Sequence, residues 1–305
     1  MPPAPATRVE IAGRELGLSN LDKVLYPRSQ TTKAEVIDYY ARVGKWMLPH
    51  LRGRPVTLRR FPDGVGAEGF FEKKCPKHRP QWVQTKTVRT SKIVDHCLLE
   101  EPAALVWTAN LAALELHVPM GRVPDIACPT GVVFDLDPGA PAGMEACVEV
   151  ALVLRDLLAN AGLRAVVKGS GSKGLHLGVP LNTATNFDAT RDFAAAVARL
   201  LTTHMPDRVT DVMSKAQRPG KVFIDWSQNT FTKTTVCAYS LRATEVPHVS
   251  APLTWAEVEA AAAGPATEAA QALTFGPAEV LARCEADGDA FAGWLEWEQS
   301  LPELA

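Results

Sequence analysis

The clearest helical period near the start of the chain lies at 32–47. Val36, Tyr39, Tyr40 and Val43 recur on one face, behind a Thr32/Glu35 pair that can form a capping box. This predicts a helix that stops before Pro49. The polar segment YPRSQTT before it reads as a turn, and residues 1–8 read as a mobile Pro/Ala tail. RPVTLRRF (54–61) predicts a strand, GVGAEGFFEKKCPKHRPQW (64–82) a loop, and 83–99 alternating strands. EPAALVWTANLAALELHVP predicts a buried helix running into a strand. GVVFDLDPG (131–139) is a short apolar strand closed by a Pro-Gly turn, and 144–160 is an amphipathic helix with Gly162 as its stop. Residues 164–181 read strand, glycine-rich turn, strand. FDATRDFAAAVARLLTTHMP reads as a helix and KVFIDWSQN (221–229) as a strand. From Thr254 the chain turns helical, with a second capping box at Thr254/Glu257 and a further helix opening at Gly276-Pro277. With no repeat and no long linker, residues 9–305 read as one α+β domain.

Period two on the 131–139 strand gives the first chemical clue. Val133, Asp135 and Asp137 face one way, Phe134, Leu136 and Pro138 the other. Two carboxylates projecting together repel and call for a cation, and an oxygen-only pair suits Mg²⁺ or Mn²⁺. A strand-end turn with exposed acids is the plainer alternative. Asp225, among Val222, Ile224 and Trp226, would be a costly lone charge and is the natural third ligand, or else a cap for the turn that follows. GSGSKGLH (169–176) lets backbone approach an anion and offers Ser170, Ser172 and Lys173 as donors. It lacks P-loop spacing. Beyond it, Leu175, Leu177, Val179 and Leu181 form a core face, which leaves His176 on the opposite one, either reaching a phosphate or lying on the surface.

Charge narrows the classes. Thirty-two Lys+Arg against 34 Asp+Glu give a net −2, which excludes binding nucleic acid by bulk charge but not by a local patch. Two sets of cations supply candidates. One is Lys215, Arg218, Lys221, Lys233 and Arg242. The other is Lys23, Lys33, Arg59, Arg60 and the Lys73, Lys74, Lys77, His78, Arg79 run behind Phe70-Phe71. Aromatics beside cations make a base-stacking platform, although a charge run is commonly a solvated face and a Phe pair commonly core. No apolar run nears the ~20 residues of a membrane span, and MPPAPATRVE lacks the apolar segment of a secretory signal. Six scattered cysteines without a CxxC suit reduced thiols in a cytoplasmic protein. Cys75, His78, His96 and Cys97 form only an awkward zinc set.

In combination, VVFDLDPG, GSGSKGLH and KVFIDWSQN resemble the polymerase domain of bacterial DNA ligase D, in the archaeo-eukaryotic primase superfamily. LDKVLYP, TTKAEV, GFFEKK, LELHVP and YSLRA extend the likeness over roughly residues 8–300. The resemblance implies a primase-polymerase fold of central sheets flanked by helices around a cleft. It also implies a template-directed nucleotidyltransferase that favours ribonucleotides and works in non-homologous end joining, in the cytoplasm with the nucleoid. Two ions, Mn²⁺ or Mg²⁺, would sit on Asp135, Asp137 and Asp225, with no organic cofactor. Ser170, Ser172, Lys173, His176 and Arg242 would hold the incoming triphosphate, with His117 and Lys221 beside it. Lys23 and Lys33 would grip a 5′-phosphate at a gap or break, helped by free N–H groups at the start of the 32–47 helix. Phe70 and Phe71 would stack on bases, and Arg59, Arg60, Lys215 and Arg218 would contact DNA. The segment 73–90 matches a loop that aligns DNA ends, with an unusual CPKH stretch. Nucleoside triphosphates, a Ku-type end binder and a separate ligase are the implied partners, and no membrane is. Two other readings compete. One is a haloacid-dehalogenase-type phosphatase, against which stand Gly139 two residues after the second Asp and Pro138 in place of the usual Gly. The other is a non-catalytic DNA-end-binding module.

Overall fold

The computed structural model describes residues 7–89 and 92–302. The chain divides into two compact units. One comprises Met1–Val118, Tyr239–Val249 and Gly276–Gly288, the other Pro119–Ala238, Ser250–Phe275 and Asp289–Ala305. Helices and sheets are mixed in both, an α+β architecture. Among the described residues no helix is long and apolar enough to cross a membrane.

The first unit is built around the helix Lys33–Leu51. Its capping box forms as predicted: Glu35 N donates to Thr32 Oγ1 and Thr32 N to Glu35 Oε2 (3.3 and 2.7 Å). The helix runs past Pro49, because Leu48 and Leu51 are buried and Pro49 falls in the last turn. Tyr39 and Tyr40 are buried, and their hydroxyls donate to the Tyr239 and Leu114 carbonyls, both at 2.7 Å. An unmade bond at either hydroxyl would cost about 1–3 kcal/mol. The helices Pro102–Asn110 and Pro277–Asp287 pack against this one. The strand Thr57–Arg60 lies between Ala113–Val118 and Phe70–Glu72, antiparallel to both.

Three expectations are corrected here. Residues 1–6 of the supposed tail lie outside the described residues, while Thr7 and Arg8 already belong to the strand Thr7–Ile11, paired with Arg14–Leu18. The 64–82 loop contains the strand Phe70–Glu72, whose partner comes from the Thr57–Arg60 strand rather than from any local pattern. Cys75 and Cys97 are joined in a disulfide, so two of the six thiols are not reduced and neither is open to zinc. The bond ties the basic 73–79 segment to the hairpin Thr85–Arg89/Ile93–Cys97.

The second unit is a six-stranded sheet. Its order is Val209–Thr210, Val222–Asp225, Gly131–Pro138, Leu175–Pro180, Val166–Gly169 and Pro252–Leu253, antiparallel except for the first pair. The helices Met144–Asn160 and Phe187–His204 cover the sheet face that carries Val132, Phe134, Leu136, Leu175, Leu177 and Val179. Alternation then sends Asp135, Asp137, His176 and Lys168 to the opposite face. The sequence-predicted segregation of core and acids on this strand is therefore the one the fold adopts.

Candidate active site

In the second unit the antiparallel register lines charged residues up across the sheet. Asp135 lies opposite Asp225 on one side and opposite His176 on the other, and His176 lies opposite Lys168. Asp137 follows two residues on, opposite Phe223. Directly opposed side chains share a face about 4.5–5.5 Å apart at Cβ. Register thus places the acid sequence-distant from the pair beside it.

Each carboxylate has protein partners. Asp135 Oδ1 is 3.2 Å from His176 Nε2. Asp137 Oδ2 accepts from Arg218 Nη1 at 3.3 Å. Asp225 caps the turn Trp226–Gln228, accepting from Ser227 N, Ser227 Oγ and Gln228 Nε2 (3.0, 2.6 and 3.0 Å). Of the two sequence readings of Asp225, third metal ligand or cap of the turn that follows, these bonds describe the cap. Among the described residues no group of three His, Cys, Asp or Glu side chains converges closely enough to hold an ion. Burial and the Asp135 charge push the Asp137 carboxyl up, against the pull of Arg218 and Lys173.

Asn229, which the sequence reading did not single out, braces this arrangement. It is fully buried, accepts from Val133 N and donates to Val133 O, both at 2.8 Å, and donates to Trp226 O at 3.0 Å. Its amide thereby joins the turn behind Asp225 to the strand that carries the acid pair.

The glycine-rich turn is packed against that strand. A Cβ on Gly174 would sit 1.9 Å from the Leu136 carbonyl, and Gly171 has φ +68°, so neither position suits another residue. Ser170 Oγ closes the turn by accepting from Ser172 N and Gly174 N, both at 3.2 Å. Ser172 and Lys173 stand exposed at the tip. His176, for which the sequence leaves a surface position open, is buried. Of the remaining cations, Lys215 is exposed, Lys221 Nζ donates to Pro206 O at 2.5 Å, and Arg218 is drawn to Asp137 and stacked on Phe223, 3.7 Å from the ring centroid.

The first unit holds a separate cluster. Phe71 pairs across the sheet with Arg59, and Arg59 with Glu115. Glu115 was not singled out from the sequence, though it lies in LELHVP. Its side chain is 1% exposed, and it gathers Arg59 Nη1 (3.1 Å), Arg242 Nε (3.4 Å), His117 Nε2 (2.8 Å) and the Ala243 amide (3.0 Å). Burial would push this carboxyl up, but the His117 hydrogen bond, the Arg242 guanidinium and the Ala243 amide hold it at about 2. Burial also lowers His117, outweighing Glu115. Two guanidinium groups around one carboxylate leave a net positive charge. Beside it Phe70 and Phe71 are 45% and 58% exposed, each ring 5.3–5.4 Å from the guanidinium carbon of Arg60 or Arg59.

Lys23 and Lys33 are placed differently from expectation. Lys23 Nζ meets Asp63 Oδ1 at 2.8 Å, and the buried Lys33 Nζ donates to Ser19 O at 2.6 Å. Burial, with Lys23 and Arg60 nearby, lowers Lys33 to about 8. The helix N–H groups thought to be free are taken: Lys33 N donates to Lys23 O, Ala34 N to Leu21 O and Glu35 N to Thr32 Oγ1. The chain folds back over the helix start and fills that site itself.

Comparison with known proteins places this geometry in a family. The profile of the LigD primase-polymerase domain matches residues 32–291. The multifunctional non-homologous end joining protein LigD of Mycobacterium bovis is 43% identical over 283 residues, 89% of this chain and 36% of that protein. The bifunctional LigD of Bacillus subtilis is 34% identical over 80% of this chain and 40% of its own length. The chain thus spans well under half of these relatives. The polymerase domain of Mycobacterium tuberculosis ligase D, solved in complex with DNA, superposes with a TM-score of 0.85 at 41% identity, covering 93% of this chain and 99% of that one. These matches set the phosphatase reading aside, and the chain belongs to the LigD primase-polymerase family.

Proposed function

We propose that this chain adds nucleotides to a primer at DNA gaps and broken ends under the direction of a template, as a step of non-homologous end joining. The observation that carries the reading is the register that sets Asp225 directly beside Asp135, with Asp137 on the same sheet face. Three carboxylates on one sheet face are an oxygen-only donor set, the chemistry a hard divalent ion such as Mg²⁺ or Mn²⁺ takes, although their side chains do not converge to ligating distances here. Two such ions, when bound, would supply Lewis-acid activation of the primer 3′-hydroxyl and charge neutralisation on the departing pyrophosphate. The chain's own groups orient the reactants. Lys173 and Ser172, exposed at the tip of the turn, are proposed to hold the triphosphate, with His176 as a further donor. Ribonucleotides are the proposed preference. Ser172 is the accessible candidate for a 2′-hydroxyl, since Ser170 Oγ already closes the turn.

Phe70 and Phe71, exposed and backed by Arg60 and Arg59, are proposed to stack on bases. Lys23, partly exposed beside Asp63, is the group proposed to reach a terminal 5′-phosphate. A Ku-type end binder and a separate ligase are the proposed partners. The test is extension of a gapped, 5′-phosphorylated duplex with a labelled nucleotide, with and without Mn²⁺. Template-dependent addition is expected, with ribonucleotides incorporated more efficiently. DNA binding without addition at any metal concentration would instead favour a non-catalytic end-binding module.

A further inference from the structure

The exposed Phe71 ring is held from two sides, and both supports lead to one buried carboxylate. In the sheet of the first unit the strand Thr57–Arg60 separates Phe70–Glu72 from Ala113–Val118. The Phe71 ring leans across that middle strand and meets the His117 ring edge to face, with centroids 5.5 Å apart. On the middle strand itself, the guanidinium carbon of Arg59 lies 5.3 Å from the Phe71 centroid and 5.0 Å from that of Phe61.

Glu115 divides its two oxygens between these supports. Oε1 accepts from Arg59 Nη1 at 3.1 Å and from the Ala243 amide at 3.0 Å, while Oε2 bonds His117 Nε2 at 2.8 Å. Register accounts for the division: Arg59 lies opposite Glu115, and His117 follows two residues on along the same strand face. The Ala243 amide is main chain, so the carboxylate is anchored independently of the two side chains that it holds. Phe70 is a built-in contrast. Alternation puts it on the other sheet face, over Arg60, whose guanidinium is held by Glu72 and the Leu111 carbonyl.

We propose that Glu115 is a positioning residue that presets the Phe71 ring for a nucleic-acid base, acting through Arg59 and His117. This rests on the base stacking proposed for Phe71 and names the group that prepares it. An exposed ring without supports turns freely and must be ordered by the base it receives. A ring already ordered avoids that cost, so more of the stacking contact appears as affinity. Buried as it is, Glu115 acts only through the side chains it holds.

The test has a ligand-free arm and a binding arm. In the intact, DNA-free chain the ring protons of Phe71 should show cross-relaxation with those of His117, the Phe71 signals being assigned by their loss in Phe71→Leu. Absence of these cross-peaks in the wild type overturns the proposal and needs no variant of Glu115 to fold. In Glu115→Ala the cross-peaks should weaken, and wild-type intensity there overturns it as well. Should that variant not fold, Glu115→Asp, a methylene too short to keep both Arg59 and His117, replaces it with the same expectation. The binding arm reads the Kd for a gapped duplex by fluorescence anisotropy. Phe71→Ala should weaken binding about tenfold in the wild type, the size of one base stack, but only about twofold beside Glu115→Ala. Phe70→Ala should cost the same in both backgrounds. The positive charge released by removing Glu115 acts on both members of each pair and cancels. An equal Phe71 penalty in both backgrounds overturns the positioning by Glu115. A Phe70 penalty that shrinks in step marks a general loosening of the unit and overturns it too. No Phe71 penalty in the wild type overturns instead the base stacking on which the proposal rests.

Discussion

Replacing Glu115 with glutamine removes one charge and almost no volume from the centre of the first unit's cationic cluster. The carboxyl is held at about 2 against an ordinary 4.5. At about 1.4 kcal/mol per pH unit, its ionisation stabilises the fold by about 3 kcal/mol. Solvent screening takes little from that figure, because the side chain is 1% exposed. The sign follows from the lowered value. Stabilisation is complete above the unfolded-state value near 4.5 and is lost as pH falls toward 2. Urea unfolding of the wild type and Glu115→Gln, followed by circular dichroism at pH 7, 4 and 3, should therefore give a gap of about 3 kcal/mol at pH 7, shrinking to about half at pH 3. A variant as stable as the wild type at pH 7 would refute the reasoning. So would a gap that stays constant into acid, because it would come from packing and not from charge.

The other expectations concern the second unit's acidic strand with its supports and the first unit's buried lysine. Asp137→Ala should lower nucleotide addition at least a hundredfold while leaving DNA affinity, read by fluorescence anisotropy, within about twofold, because charge stabilisation acts on the transition state. Near-normal extension by that variant would sink the metal assignment. Gly174→Ala must push the turn off the Leu136 carbonyl, now 1.9 Å from where the methyl would sit, so nucleotide KM should rise with a loss of stability of about 1–3 kcal/mol. Asn229→Ala strips Val133 of both backbone partners and should cost about 2–4 kcal/mol in urea unfolding. Lys33 is lowered to about 8, so the unfolded chain holds its proton more tightly and the fold gains stability as pH rises from about 8 toward the ordinary lysine value of about 10.4. Lys33→Met should lack that gain, and parallel pH dependence of the two proteins would contradict it.

How much of this was legible in the sequence depends on the range over which each feature is decided. Capping boxes at Thr32/Glu35 and Thr254/Glu257 are local, and both form. The period-two split of the 131–138 strand needs only eight residues, and its apolar half is buried under two helices while the acids are not. The contacts of Lys168 were invisible because they depend on His176 across one strand pair and on Ser250 some eighty residues away. In isolation it is a cation at the end of RAVVKG. Glu115 carried a usable signal: a charge inside an apolar strand, two residues before His117 and so on its face. The Cys75–Cys97 bond joins residues 22 apart with no CxxC to announce it. The open helix N-terminus was the opposite error. Local geometry leaves those amides free, and the returning chain at Leu21 and Lys23 consumes them.

A chain with a net charge of −2 is a poor ligand for a polyanion only if its charge is evenly spread. Sheet register spreads it unevenly. In the second unit it sets Asp135 beside Asp225, so acids accumulate on one face, the arrangement that attracts cations. In the first it sets Phe71 beside Arg59 and Arg59 beside Glu115, while Arg242 closes on the same carboxylate, so that positive charge is in excess there. Charges beyond about 8–10 Å are screened at physiological salt, so a phosphate near Arg59 responds to that local excess and not to the total. The same reasoning explains why composition excluded only bulk binding. The property that matters is which residues are opposite which, and this is fixed by pairing between strands far apart in the chain.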